Sequence, residues 1–126
     1  MVAEVGSVGV GSERQIKGYG MNQILYNVTI GVSEDIHEEW LQWMRSEHIP
    51  SVLRTRMFIS ARLLRMHADS VGDPTYAVQY ICQDMESYEH YQRLFAPALK
   101  LEHDLRFPEK APSFRTVLEV LDTFQP

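Results

Sequence analysis

ILYNVTIGVSEDIHEEWLQWM (residues 24–44) changes its period half-way along, and that change decides the fold. Through Val32, apolar and polar residues alternate and β-formers dominate, the pattern of a strand with two unlike faces. Ser33 is a good N-cap residue, and Glu34 and Asp35 suit the positive end of a helix dipole. Ile36, Trp40, Trp43 and Met44 then recur at helical spacing. A strand therefore feeds directly into a helix. The stripe runs on through WLQWMRSEHIPSVLRT (40–55) to His48. The helix is expected to end near Ile49, because the residue before Pro50 is pushed out of the α region, and Pro50 opens a short further turn.

Outward from this unit the pattern repeats. FISARLLRMH (58–67) and TYAVQYIC (75–82) are β-rich runs joined by ADSVGDP (68–74), whose Gly, Asp and Pro are turn formers, so a hairpin is expected. A second helix starts after Asp84 as N-cap and carries Tyr88, Tyr91, Phe95, Leu99 and Leu105 on one stripe, with a break or kink at Pro97. SFRTVLEVLDTF (113–124) closes the chain as a strand. The order β-α-β-β-α-β is that of an α+β, ferredoxin-like fold: a four-stranded antiparallel sheet, two helices on one face, first and third strands central. Five of the seven glycines fall before Met21, so residues 1–21 read as a flexible tail, with Met21 a candidate start, and 22–124 as the domain.

Strand parity sorts the residues. Tyr26, Val28, Ile30, Tyr76, Val78, Tyr80, Phe114, Thr116, Leu118 and Val120 share the more apolar parity, which is expected to face the helices. The other parity holds Leu25, Asn27, Thr29, Ala77, Gln79, Ile81, Arg115, Val117 and Glu119. That face is too apolar for bare water and too polar for a dry core, which suits a sheet covered by a second subunit in a homodimer.

Composition narrows the function classes. A chain of 126 residues, 44% of them hydrophobic, fits one domain with one core. Acidic residues outnumber basic ones 17 to 12, which argues against nucleic acid as a partner. No apolar run is long enough for a membrane span, no targeting segment is evident, and the single cysteine, Cys82, cannot pair within the chain, so a cytoplasmic setting is expected. Cys82 reads as a small core residue. His37, His67, His90 and His103 are scattered without ligand spacing, and no metal or other cofactor is expected. GVGSE (9–13) lacks the strand and helix that a phosphate-binding loop needs.

The motifs YNVTIGV (26–32), EEWLQWMRSEHIP (38–50), YAVQY (76–80) and FRTVLEV (114–120) resemble an uncharacterised bacterial domain-of-unknown-function family of the dimeric α+β barrel group. The resemblance runs from Asn22 to about Thr123, and the tryptophan pair before His48-Ile49-Pro50 is its most specific part. It implies the ferredoxin-like fold and a homodimer, but no activity. In that family a glycine commonly follows the threonine after the first helix; here Arg56 follows Thr55. The architecture is also similar to that of EthD-type proteins, small cofactor-independent monooxygenases and muconolactone isomerases, with pockets between helices and sheet. An EthD-type protein tends to have a histidine shortly before a proline, as His48 stands before Pro50.

Each candidate site residue admits two readings. His48 is either a helix-terminal histidine, charged at the negative end of the dipole, or a proton mover beside the phenols of Tyr26 or Tyr80. Trp40 and Trp43 are either core or the walls of a pocket for a flat, apolar or aromatic ligand. Asn27, Gln79 and Arg115, on one parity of neighbouring strands, form either a hydrogen-bond network fixing a dimer's register or an anion site. Two functions follow: a dimeric module with a pocket for a small apolar or aromatic molecule, or a cofactor-independent enzyme, monooxygenase- or isomerase-like, using His48.

Overall fold

The computed structural model describes residues 9–10, 12–13, 22–67 and 72–126. Four antiparallel strands form one sheet in the order β2-β3-β1-β4: β1 (Ile24–Gly31), β2 (Ser60–Arg65), β3 (Thr75–Cys82) and β4 (Ser113–Glu119). The helices are α1 (His37–Trp43), α2 (Ile49–Arg54), α3 (Met85–Leu94) and α4 (Ala96–Arg106). This is the ferredoxin-like arrangement, with β1 and β3 central as the alternation implied. A two-residue parallel ladder joins Gly9–Val10 to Ser12–Glu13 outside the sheet. The rest of the expected tail, and 68–71 in the turn, lie outside the described residues.

The core forms where the two periods meet. Tyr26, Ile30, Tyr76 and Val78 turn the apolar parity of β1 and β3 to the helices and are at most 3% exposed. Trp40, Leu41, Trp43, Met44 and Val52 cover them from the first helical layer. Asp84 caps α3 as expected, its Oδ1 accepting from the Ser87 N–H at 2.8 Å. Pro97 separates α3 from α4, because its missing N–H cannot bond back into the preceding turn. Ser33, by contrast, makes no side-chain cap; a 3₁₀ turn, Glu34–Ile36, leads into α1.

Three expectations need correction. The first helix does not stop at Ile49. Met44–His48 widens into a π-helical turn, the Ile49 N–H bonds the Met44 carbonyl five residues back, and α2 continues to Arg54. The wider turn admits Pro50, which supplies no N–H, without ending the helix. Second, the stripe of α4 runs through Leu99, His103 and Phe107; Leu105 is exposed. Third, the parity of β4 is inverted: Arg115 pairs with Val28 and Val117 with Tyr26, so Arg115 and Val117 share the helix side, and Phe114, Thr116 and Leu118 share the open face. Arg56 takes a φ of 66°, the left-handed region that favours glycine, where the family resemblance expects one.

Candidate functional site

A pocket lies between the helices and the sheet. Its floor is the helix-facing parity of β1 and β3: Tyr26, Val28, Ile30, Val78 and Tyr80. The π turn supplies Met44 and His48 to its roof, α3 supplies Tyr91, and α4 supplies Leu99, Lys100 and His103. Ser113 and Arg115 of β4 close one side. The free volume is about 40 Å³, where about 10–15 Å³ accommodates one water. The pocket as it stands holds one small polar group, and Lys100 and Arg115, both exposed, are the flexible side chains on its rim.

His48 owes its place to the π turn, which carries it past the stripe of α1. Its ring stacks on Trp43 with centroids 5.0 Å apart and lies 5.8 Å from His103. Burial, then the neighbouring His103 and Arg115, lower its pKa from 6.5 to about 4, so the imidazole is neutral at neutral pH. The cap reading fails on both counts: helix continues on either side of His48, and the ring is uncharged. Its Nδ1 is buried without a hydrogen-bond partner; among the described residues the only other such side-chain atom is Nε2 of Gln92. A buried polar atom left unsatisfied costs about 1–3 kcal/mol.

Behind the pocket wall stand the tryptophans. Trp40 is fully buried, and its Nε1–H donates to His103 Nε2 at 3.0 Å. That bond leaves the ring hydrogen of His103 on Nδ1, facing Asp104 Oδ1 at 3.2 Å. Trp43 is covered by His48, His103, Phe107 and the guanidinium of Arg106. Neither tryptophan lines the pocket; both hold the histidines that do. His103 was among the scattered histidines of the sequence. The signal for it was the spacing Phe95, Leu99, His103, four residues at a time, which continues the buried face of the second helical run.

Tyr26 joins the phenols to β4. Its hydroxyl accepts from Nε of Arg115 at 2.9 Å, and its ring meets Phe58, Tyr80, Tyr88 and Tyr91 at centroid distances of 5.3–6.1 Å. Burial raises the pKa of Tyr80 and of Tyr91, which keeps both phenols protonated and able to donate. The expected trio of Asn27, Gln79 and Arg115 is therefore split. Asn27 and Gln79 face each other across β1 and β3 on the open face, while Arg115 is on the helix side. Asn27 bonds Thr29 at 3.0 Å, and Gln79 accepts from Arg62 at 2.8 Å. The arginine that the open face holds beside Gln79 is thus Arg62, brought there by β2.

Among the described residues no group of three His, Cys, Asp or Glu side chains could hold a metal ion, and no helix is long and apolar enough to cross a membrane. Cys82 is fully buried at the end of β3, and burial pushes its thiol up to about 12, so it is inert core. The DUF4286 pattern spans residues 23–121, from the start of β1 past the end of β4. The chain belongs to DUF4286, a family of domains of unknown function.

Solved structures agree with this DUF4286 domain in fold. An EthD family protein from Bacillus halodurans superposes with a TM-score of 0.61 at 10% identity, over 78% of this chain and 99% of that one. SnoaB, a cofactor-independent oxygenase from Streptomyces nogalater, gives 0.60 at 14% identity, over 83% and 99%. A dimeric ferredoxin-like protein from an uncultured marine organism gives 0.60 at 12% identity, over 82% and 99%. No curated protein matches the sequence.

Proposed function

We propose that the chain is a small cytoplasmic homodimeric module whose pocket binds a small apolar or aromatic molecule. The observation that supports it is the convergence of His48, Tyr26 and Tyr80 on one mostly apolar pocket, with the buried Nδ1 of His48 unsatisfied. The second copy belongs on the open face of the sheet, where Phe114, Leu118, Ile59 and Met66 are 46–64% exposed. Asn27, Gln79 and Arg62 stand on that face and supply polar register to the interface. The dimeric ferredoxin-like neighbour is consistent with this reading. Neither nucleic acid nor a membrane has a role in it. Titrating the protein with small aromatic compounds while following tryptophan emission tests the pocket, because Trp43 stacks on His48. A saturable change that is lost when Val78→Trp fills the pocket supports it; no response from any compound removes it.

A second reading is favoured by the protonation state of His48. A neutral, buried imidazole beside protonated phenols can accept a proton from a bound substrate, as in a cofactor-independent monooxygenase or isomerase. A base whose pKa is about 4 is weak, so the substrate must itself be acidic or lend the ring a counter-charge. The discriminating variant is His48→Gln: an enzyme keeps binding and loses turnover, while a binding module shows no turnover before or after the change.

A further inference from the structure

The rim of the pocket carries charge of one sign. Arg115 and Lys100 stand on it and no Asp or Glu lines it, although acidic residues outnumber basic ones 17 to 12 in the chain. The ion pairs and histidine–carboxylate contacts among the described residues involve Arg106, Lys110, His37 and His103, so neither rim cation is matched. Arg115 is instead held by neutral acceptors: the Tyr26 hydroxyl at 2.9 Å and Ser113 Oγ at 3.4 Å. These contacts aim the guanidinium and leave its charge uncompensated. Since the Tyr26 oxygen accepts from Arg115, its own hydrogen is free to point elsewhere, and Tyr80 supplies a second phenolic donor to the pocket. Cations and O–H donors surround a space of about 40 Å³, large enough for one small polar group. Such a donor-rich, acid-free setting disfavours a cationic ligand and is complementary to an anion.

We infer that the pocket's ligand is a small organic anion: an apolar or aromatic body bearing one carboxylate, with the charge held by Arg115 and Lys100. The apolar body lies towards Val28, Val78, Met44 and Leu99, and the pocket must widen beyond its present volume of about 40 Å³ to admit it. This inference rests on the reading of the pocket as a ligand site and adds the class of ligand.

The test compares benzoate and 1-naphthoate with their uncharged carboxamides, titrated into the full chain at low salt and followed by tryptophan emission and calorimetry. The carboxylates are expected to bind at least tenfold more tightly than the amides. Lys100→Gln and Arg115→Gln are each expected to weaken the carboxylates about fivefold and leave the amides unchanged. Lys100 is exposed and forms no ion pair among the described residues, so Lys100→Gln keeps the test valid even if loss of the Tyr26 bond disturbs Arg115→Gln. Amides that bind as tightly as the acids would overturn the anion assignment and leave the ligand site standing. If none of the four compounds binds at millimolar concentration, the ligand-site reading fails and takes this inference with it.

Discussion

The two faces of the sheet differ in cover more than in composition. On the helix side Tyr26, Ile30, Tyr76 and Val78 are sealed, at most 3% exposed, while on the other side Phe114 is 64% and Leu118 46% exposed. Both faces are apolar enough to attract a covering layer, but only one receives it from the described residues. The contrast explains β4. Its more apolar parity, Phe114, Thr116 and Leu118, faces away from the helices, and the parity with Arg115 closes the pocket. Apolar residues on an edge strand therefore report that some face will be covered, without reporting by what.

The comparison can be broken at four places. The largest effect is expected from Trp40→Ala on the covered side, where the side chain is fully buried and donates to His103. A loss of about 3–5 kcal/mol in chemical denaturation is expected; a loss below about 1 kcal/mol would show that the helical layer is not the tightly packed one.

Acid should act next on the same side. The folded pKa of His48 is depressed from 6.5 to about 4, so the unfolded chain takes up a proton first as the pH falls. Its contribution is constant above about pH 7 and is lost between about pH 6.5 and 4. At about 1.4 kcal/mol per pH unit the full loss is roughly 3–4 kcal/mol. Denaturation curves measured across that window should be steeper in pH for the native protein than for His48→Gln, and parallel slopes would refute the burial of the ring.

A smaller effect is expected at Arg115, on the helix side of the edge strand. Arg115→Gln removes its bond to the Tyr26 hydroxyl and should cost about 1 kcal/mol. If Arg115 belonged to the open face with Gln79, the same change would weaken the dimer instead, so paired stability and light-scattering measurements decide between the faces. The smallest change in protomer stability, within about 0.5 kcal/mol, is expected from Phe114→Glu on the open face. Light scattering should nevertheless show the dimer lost; a variant that stays dimeric would place the interface elsewhere.

Much of the fold was legible because it rests on neighbours in sequence. Alternation from Ile24 onward and from Thr75 to Cys82 marked both central strands, and Asp84 and Pro97 marked where the second helical run begins and breaks. Local signals misled where a local rule had a structural escape. A proline such as Pro50 usually ends a helix, but the π turn that ends at His48 lets the helix absorb it. Of the candidate site, His48, Tyr26 and Tyr80 do converge on the pocket, whereas Trp40 and Trp43 stand behind it.

What the sequence determined by itself is the set of elements and the inward parity of β1 and β3, since a strand flanked on both sides exposes its period to only one arrangement of core and helix. What only the tertiary structure decided is the pocket's polar half. Trp40 meets His103 across 63 residues, and Arg115 meets Tyr26 across 89. Such pairings depend on the register of β4 against β1 and on the turn at which α4 crosses α1. A shift of one residue in a strand exchanges its faces, and the alternation within SFRTVLEV favours the choice that the structure does not make. On the helix side Arg115 reaches the phenol of Tyr26, and on the open face Gln79 is already paired with Arg62.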